Sequence, residues 1–215
     1  MRIVILGAPG SGKGTQAALL KEMYGILHVA TGDILRTEVA EGTDLGKKAE
    51  SYMNAGQLVP DDVILEMVEG RLSRPDTRRG WLLDGFPRTL PQAEGLREMT
   101  ERIGQQVDAG VILNVDAEVV VRRLSGRRVC DACQAVTNVS EMNAGACPLC
   151  GGKLVLRPDD EPQVVRKRIE VFEAQTRPLF AFFRKHYDVI EIDASKPIDQ
   201  VTEALRVGLD RYDHS

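Results

Sequence analysis

A chain of 215 residues is long enough to bury a core of its own, as one domain or as a core with small insertions. Apolar residues make up 43% and charged residues 28%, and 28 Lys and Arg against 32 Asp and Glu leave a net charge of −4, so nothing points to a polyanion partner such as DNA. No apolar run approaches the roughly 18 residues of a membrane span, and Met1 leads into a strand-like run rather than a signal peptide. No membrane or nucleic-acid partner is expected; the expected setting is cytoplasmic, with the four cysteines reduced.

The first strand reads as Ile3–Leu6, apolar and rich in β-branched residues, and therefore buried on both faces. It runs into Gly7-Ala8-Pro9-Gly10-Ser11-Gly12-Lys13-Gly14-Thr15, and a helix follows over Thr15–Tyr24, with Ala18, Leu19 and Met23 at helical spacing. A glycine-rich turn between a buried strand and a helix is a phosphate cradle: backbone N–H groups converge, the helix dipole adds to them, and Lys13 supplies a full charge. The spacing fits G-x-x-x-x-G-K, except that Gly14 stands where Ser or Thr is usual and Thr15 comes one place later.

Further strand-like runs fall at Leu27–Ala30, Trp81–Leu83, Val111–Val115 and Val189–Ile192, with helical patterns between most of them. That alternation predicts an α/β fold, a parallel sheet with helices on both faces and right-handed crossovers. Two stretches interrupt it. Thr31–Pro60 is polar and mostly helical in pattern, with Gly32, Gly42, Gly46 and Gly56 as punctuation. Gly126–Glu161 holds all four cysteines and little helical periodicity.

Thr31-Gly32-Asp33-Ile34-Leu35-Arg36 opens a helix after the second strand, with Thr31 or Asp33 placed to cap it and Arg36 one turn in. Trp81-Leu82-Leu83-Asp84-Gly85-Phe86-Pro87-Arg88 places Asp84 at the carboxyl end of the sheet, where open α/β proteins bind ligands. Beside a phosphate loop, an acid there organises Mg²⁺, and Arg88 offers a two-pronged donor to phosphate. Arginines then accumulate at 122, 123, 127, 128, 157, 166 and 168. Arg123 and Arg127 are four apart and expected to share a helix face, while Arg157 and Arg168 flank the exit of the cysteine insertion.

Cys130-Asp131-Ala132-Cys133 and Cys147-Pro148-Leu149-Cys150 are two C-x-x-C knuckles, the spacing of a tetrahedral four-thiolate Zn²⁺ site. Four thiolates leave no open position, so such a metal is structural, and it supplies folding energy to a segment with few apolar residues. Glu161–Lys185 reads as one long helix with Val164, Val165, Ile169 and Phe172 inward, then Leu179, Phe180 and Phe183. His28, His186 and His214 have no sequence partners that suggest catalysis.

Taken together, the chain resembles adenylate kinase in its bacterial form with a long zinc-bearing lid. The resemblance covers essentially the whole length. It is carried by Gly7–Thr15, Thr31–Arg36, Gly56–Asp61, Leu83–Arg88 with Gln92, Gly126–Val129, Arg157–Asp160 and Val165–Arg168. It implies a P-loop NTPase-type fold with five parallel strands, an AMP-binding insertion and a lid. The corresponding segments are 1–29, 61–125 and 161–215 for the core, 30–60 for the insertion and 126–160 for the lid. It implies reversible Mg²⁺-dependent transfer from ATP to AMP giving two ADP, by a monomer.

Residue by residue, the resemblance assigns Gly10, Ser11, Gly12, Lys13, Gly14, Thr15, Arg123, Arg127 and Lys196 to ATP, with Val136 and Thr137 in place of the polar–aromatic pair usual at the lid's adenine contact. To AMP or the phosphate in transit it assigns Thr31, Arg36, Gln57, Leu58, Val59, Gly85, Phe86, Pro87, Arg88, Gln92, Arg157 and Arg168. The reacting phosphates fall to Lys13, Asp84, Arg88, Arg123, Arg157 and Arg168. No general base is needed, because positioning and charge carry phosphoryl transfer.

Two other readings compete. A sister kinase would phosphorylate UMP, CMP or GMP with the same machinery. A non-catalytic nucleotide-dependent adaptor would dock nucleic acid or a partner on the knuckle, but Cys133–Cys147 holds Gln134, Asn138, Glu141 and Asn143 and no Lys, Arg or aromatic.

Overall fold

The computed structural model describes residues 1–138 and 146–213, so Glu141, Asn143 and His214 lie outside the described residues. Its strands are β1 (Arg2–Gly7), β2 (Leu27–Ala30), β3 (Trp81–Asp84), β4 (Ala109–Asn114), β5 (Arg127–Cys130), β6 (Val136–Asn138), β7 (Leu154–Val155) and β8 (Val189–Asp193). A five-stranded sheet has the order β2-β3-β1-β4-β8, and every pairing in it is parallel. A small three-stranded sheet, β6-β5-β7, is antiparallel and lies in the cysteine insertion.

The helices are α1 (Lys13–Tyr24), α2 (Thr31–Glu41), α3 (Asp44–Asn54), α4 (Asp61–Leu72), α5 (Leu90–Arg102), α6 (Ala117–Gly126), α7 (Pro162–Val171), α8 (Leu179–His186) and α9 (Ile198–Leu209). They cover both faces of the large sheet. Val4 and Leu6 of β1 join Val68, Leu96 and Phe183 in one core, and Ile3 and Ile5 join Leu20, Leu205 and Leu209 in the other. A strand buried on both faces has no polar face to alternate with, which is why β1 reads as an unbroken apolar run. Among the described residues no helix is long and apolar enough to cross a membrane.

The sheet order makes β1 the switch point, since β3 lies on one side of it and β4 on the other. The crevice at its carboxyl end is where such folds bind ligands. In the register Ile5 pairs with Asp84, so the strand-end acid is brought beside the glycine-rich loop that follows β1.

Several local expectations change. α1 forms where its spacing predicts, but it buries Gln16, Ala17 and Leu20, while Leu19 and Met23 are 39% and 44% exposed. α2 has no side-chain cap, because Thr31 is already helical and donates its hydroxyl to the Asp84 carbonyl at 3.3 Å, and Asp33 pairs with Arg36. Gly42 and Gly56 do punctuate, with φ of 66° and 67°, but Gly32 lies inside α2 and Gly46 inside α3. The long helix over 161–185 is interrupted by a π-helical turn at Phe172–Thr176, between α7 and α8.

Gly46 has a packing role instead of a turn role. A Cβ there would stand 2.1 Å from the Glu38 carbonyl oxygen, so the close crossing of α2 and α3 requires its absence. Gly46→Ala is expected to cost about 1–3 kcal/mol through this clash, seen as a lowered Tm in a thermal melt, whereas Gly70→Ala, on an open site in α4 with no atom within 4 Å, should leave the Tm unchanged or raise it.

Candidate active site

The loop after β1 takes its shape from glycines. Gly10 and Gly12 have φ of 78° and 97°, a region that side chains disfavour, and Gly12 caps α1 from that conformation. The turn is closed by Ser11 N–H donating to the Ala8 carbonyl at 3.0 Å, and the Ser11 hydroxyl is buried with no partner among the described residues. Lys13 opens α1 and folds back, its ammonium donating to the carbonyls of Gly7 at 2.9 Å and Ala8 at 2.8 Å. Burial lowers its pKa to about 8; Asp84 opposes that, while Arg88, Arg168 and Arg127 add to it.

Asp84 closes β3. Burial alone would raise its pKa, but His28 and the charge of Lys13 outweigh burial and hold the carboxyl below its ordinary value. The His28 ring nitrogen Nε2 lies 3.4 Å from Asp84 Oδ2, a partner across the sheet that the local sequence does not show. Asp84 Oδ2 is also 3.6 Å from where a Cβ on Gly14 would stand, so acid and loop adjoin.

Arg88 is fixed at three points. Its Nε donates to the Gly85 carbonyl at 2.7 Å, its backbone N–H donates to Gln92 Oε1 at 2.7 Å, and its carbonyl accepts from the Thr176 hydroxyl at 2.9 Å. Burial and the neighbouring Arg168 push its pKa down to about 10. Arg157, half-buried, falls to about 10 through burial and the charges of Arg36 and Arg127. Arg36, Arg127 and Arg168 share two carboxylates. Asp159 lies 2.9 Å from Arg168 and 3.7 Å from Arg36, and the fully buried Asp160 side chain holds Arg127 in a two-pronged pair and lies 3.1 Å from Arg168.

One cavity joins these groups. Lys13, Thr31, Arg36, Gln57, Leu58, Val59, Gly85, Pro87, Arg88, Gln92 and Arg168 line it, with Asp159 at its edge. Leu35, Met53, Ile64, Val171 and Phe172 supply an apolar part that motif spacing does not reveal, because they belong to the periodic faces of their helices. Phe86 is wholly buried in the core, and Arg157 does not line the cavity. The ATP-side residues are more dispersed. Arg123 is in the last turn of α6, but Arg127 is the first residue of β5, so the two do not share a helix face: the helix stops at Gly126 and the chain extends. Val136, 53% exposed, and Thr137 pair with Val129 and Arg128 in the small sheet, and Lys196 is exposed beside a separate groove along β8 and α9.

The cysteines converge, with all four sulfurs within 4.8 Å of one another. Cys130 and Cys150 are 3.4 Å apart and Cys133 and Cys147 3.6 Å, too far for disulfides of about 2.05 Å. They are close to the edge of about 3.8 Å that a tetrahedron of Zn–S bonds of about 2.3 Å requires. The two knuckles repeat one geometry. Gln134 N–H returns to the Cys130 carbonyl at 3.0 Å and Gly151 N–H to the Cys147 carbonyl at 2.9 Å, with positive φ at both residues. The Cys133 backbone N–H favours the Cys130 thiolate, lowering that thiol to about 7. The donor set fits Zn²⁺ in a closed shell.

The family model described as adenylate kinase matches residues 5–188. The chain belongs to the adenylate kinase family. It is 43% identical to the adenylate kinase of Methanocella arvoryzae over 97% of this chain and 98% of that protein. It is 45% identical to the adenylate kinase of Caldicellulosiruptor bescii, over 96% and 98% of the two chains, and 45% identical to that of Streptomyces avermitilis over the full length of both. Asp159 and Asp160 stand out as the ion-pair partners of Arg36, Arg127 and Arg168, to which motif spacing assigns no role. The signal for them lies in Arg157-Pro158-Asp159-Asp160, where two acids follow closely on an arginine.

A phosphate needs Lys13 as ammonium, so ATP affinity should fall as pH rises above about 8, with proton uptake on binding, and stay flat to pH 9.5 in Lys13→Arg; calorimetry in buffers of different ionisation enthalpy reads both. For stability the sign is opposite. Between pH 8 and 10.5 the unfolded chain holds the proton that folded Lys13 has lost, so this group's contribution rises with pH. Metal analysis should find a single zinc equivalent per chain, and Cys147→Ser should lose it and lower the Tm while leaving part of the low-temperature activity, since Lys13, Asp84 and Arg88 lie outside the knuckles.

Proposed function

We infer that this protein catalyses reversible phosphoryl transfer from ATP to AMP, giving two ADP. The observation that carries the reading is one cavity that joins the loop lysine, Lys13, to Arg88, Arg168 and Arg36 and ends among Gln57–Val59 and Gln92. Cations suited to phosphate and polar and apolar groups suited to a base thus line one space. Membership in the adenylate kinase family favours it over the sister-kinase and adaptor readings.

Lys13 and the N–H groups of Gly10–Thr15 hold the donor's phosphates. Arg88 and Arg168 hold the acceptor phosphate and the group in transit, where charge spreads over the equatorial oxygens. Arg123, Arg127 and Arg157 close on the same charge when the lid, 126–160, folds over the core of 1–29, 61–125 and 161–215. Asp159 and Asp160 now hold Arg36, Arg127 and Arg168 in ion pairs that phosphate would exchange for its own. Excluding water by this closure keeps it from accepting the phosphoryl group. Mg²⁺ with ATP would neutralise charge between the phosphates; Asp84, held ionised beside Gly14, is the acid placed to organise it, with the Thr15 hydroxyl. Thr31, Gln57–Val59 and Gln92 hold the AMP base in the 30–60 insertion, and Lys196, Val136 and Thr137 the ATP adenine. The protein acts as a monomer, and thiols used as metal ligands suit the reducing cytoplasm.

Arg88→Ala and Lys13→Ala should each lower kcat by about 10²–10³-fold or more, the cost of removing one donor to developing charge, with circular dichroism and Tm preserved. A coupled assay of ADP formation with AMP, UMP, CMP and GMP reads the rate and the base preference together. Near-normal turnover in folded Arg88→Ala would remove the assignment. GMP used as well as AMP would remove only the base specificity.

A further inference from the structure

We propose that Asp61 is a positioning residue that fixes the polarity of the Gln92 amide, and that this polarity makes the site accept a 6-aminopurine monophosphate and reject a 6-oxopurine; the inference rests on the AMP reading above. Asp61 opens α4, two residues after the Gln57–Val59 segment that lines the cavity. Its Oδ1 accepts from Gln92 Nε2 at 2.7 Å and its Oδ2 from the Thr89 hydroxyl at 3.0 Å. Thr89 in turn caps α5 by accepting from the Gln92 backbone N–H at 3.2 Å, so side chain and backbone of Gln92 are held by one closed set of bonds.

The chemistry of the flanking groups decides which way the amide points. A carboxylate only accepts, and the backbone N–H of Arg88, 2.7 Å from Gln92 Oε1, only donates. Turning the amide over would set its NH₂ against the Arg88 N–H and its carbonyl oxygen against the Asp61 carboxylate. Two like pairs would then meet at hydrogen-bond distance in a residue only 2% exposed. The orientation is therefore imposed from both sides.

Each end of the amide keeps spare capacity. The oxygen has a second lone pair and the nitrogen a second hydrogen, and Gln92 lines the cavity. The cavity is offered an acceptor and a donor in fixed order. A 6-aminopurine presents the complement, a 6-amino donor and an N1 acceptor. A 6-oxopurine presents O6 as acceptor and N1–H as donor, and pairs only with the reversed amide. Rejection by such a site comes from polar groups left unpaired, and it holds only while the amide cannot turn. The donor from Arg88 is a backbone N–H, which a side-chain substitution does not remove. The Asp61 carboxylate can be removed.

The experiment measures kcat/KM with ATP for AMP and for inosine monophosphate in the wild type, Asp61→Ala, Asp61→Ser, Gln92→Ala and the two double variants. The AMP-to-inosine ratio should fall about tenfold or more in Asp61→Ala, the scale of one charge-assisted hydrogen bond. It should fall likewise in Asp61→Ser, whose hydroxyl serves either polarity and keeps a partner in place should the alanine variant not fold. In the Gln92→Ala background the Asp61 substitutions should leave the ratio where it is. An unchanged ratio in a folded Asp61 variant, or an equal change with and without Gln92, overturns the proposal. A wild type that makes no ADP from ATP and AMP would instead overturn the functional reading on which it rests; AMP turnover with an unmoved ratio sinks only the role of Asp61.

Discussion

The structure is arranged around the cost of holding like charges together out of water. Lys13, Arg88 and Arg168 line one cavity with Arg157 nearby, and burial together with neighbouring cations, Arg36 and Arg127 among them, lowers the pKa of each. Such a set is tolerable only with counter-charge. Asp84 supplies it on the strand side, and Asp159 and Asp160 supply it at the entry to α7. A polyphosphate satisfies the same cations better, because it brings more charge and more acceptor oxygens than two carboxylates. In this structure Asp159 and Asp160 occupy Arg36, Arg127 and Arg168, and on the proposed reading substrate phosphate competes for them.

A cluster of this kind needs a rigid base, and the sheet provides it. β1 is buried on both faces, with Ile3 and Ile5 in one core and Val4 and Leu6 in the other, so its carboxyl end is fixed by packing from two sides. The loop and Asp84 inherit that rigidity through the Ile5–Asp84 pairing. Arg88 inherits it through the Gly85 carbonyl, the Gln92 amide and the Thr176 hydroxyl, the last from the π-helical turn that breaks the 162–186 helix. The irregular turn therefore carries a bond to the loop that presents the key arginine.

The cysteine insertion solves a different problem. Its sheet has strands of four, three and two residues, too small to bury an apolar core. The four converging sulfurs are a set that a bound Zn²⁺ would cross-link in place of that core, and Gly152 is required because a Cβ there would stand 2.8 Å from the Cys130 sulfur. With zinc bound, stability in this part of the chain would follow metal and redox state, while the sheet domain relies on hydrophobic burial.

Signals carried by neighbours along the chain are legible in the amino-acid order alone. The five strands, the phosphate loop, the strand-end Asp84 and the paired knuckles all rest on backbone period or ligand spacing, which are local properties of the chain. Local pattern fails wherever a choice depends on what lies opposite. The α1 spacing at Ala18, Leu19 and Met23 cannot say that the sheet takes Ala17 and Leu20 instead. Arg123 and Arg127 are four apart, yet the helix between them ends at Gly126. His28 meets Asp84 across 56 residues and Asp61 meets Gln92 across 31, contacts created by strand order and helix packing. What the sequence determined by itself was which groups the protein carries and the local frame of each. Tertiary structure decided which of them face one another, because hydrogen bonds and ion pairs depend on distance through space, and only the folded sheet sets those distances.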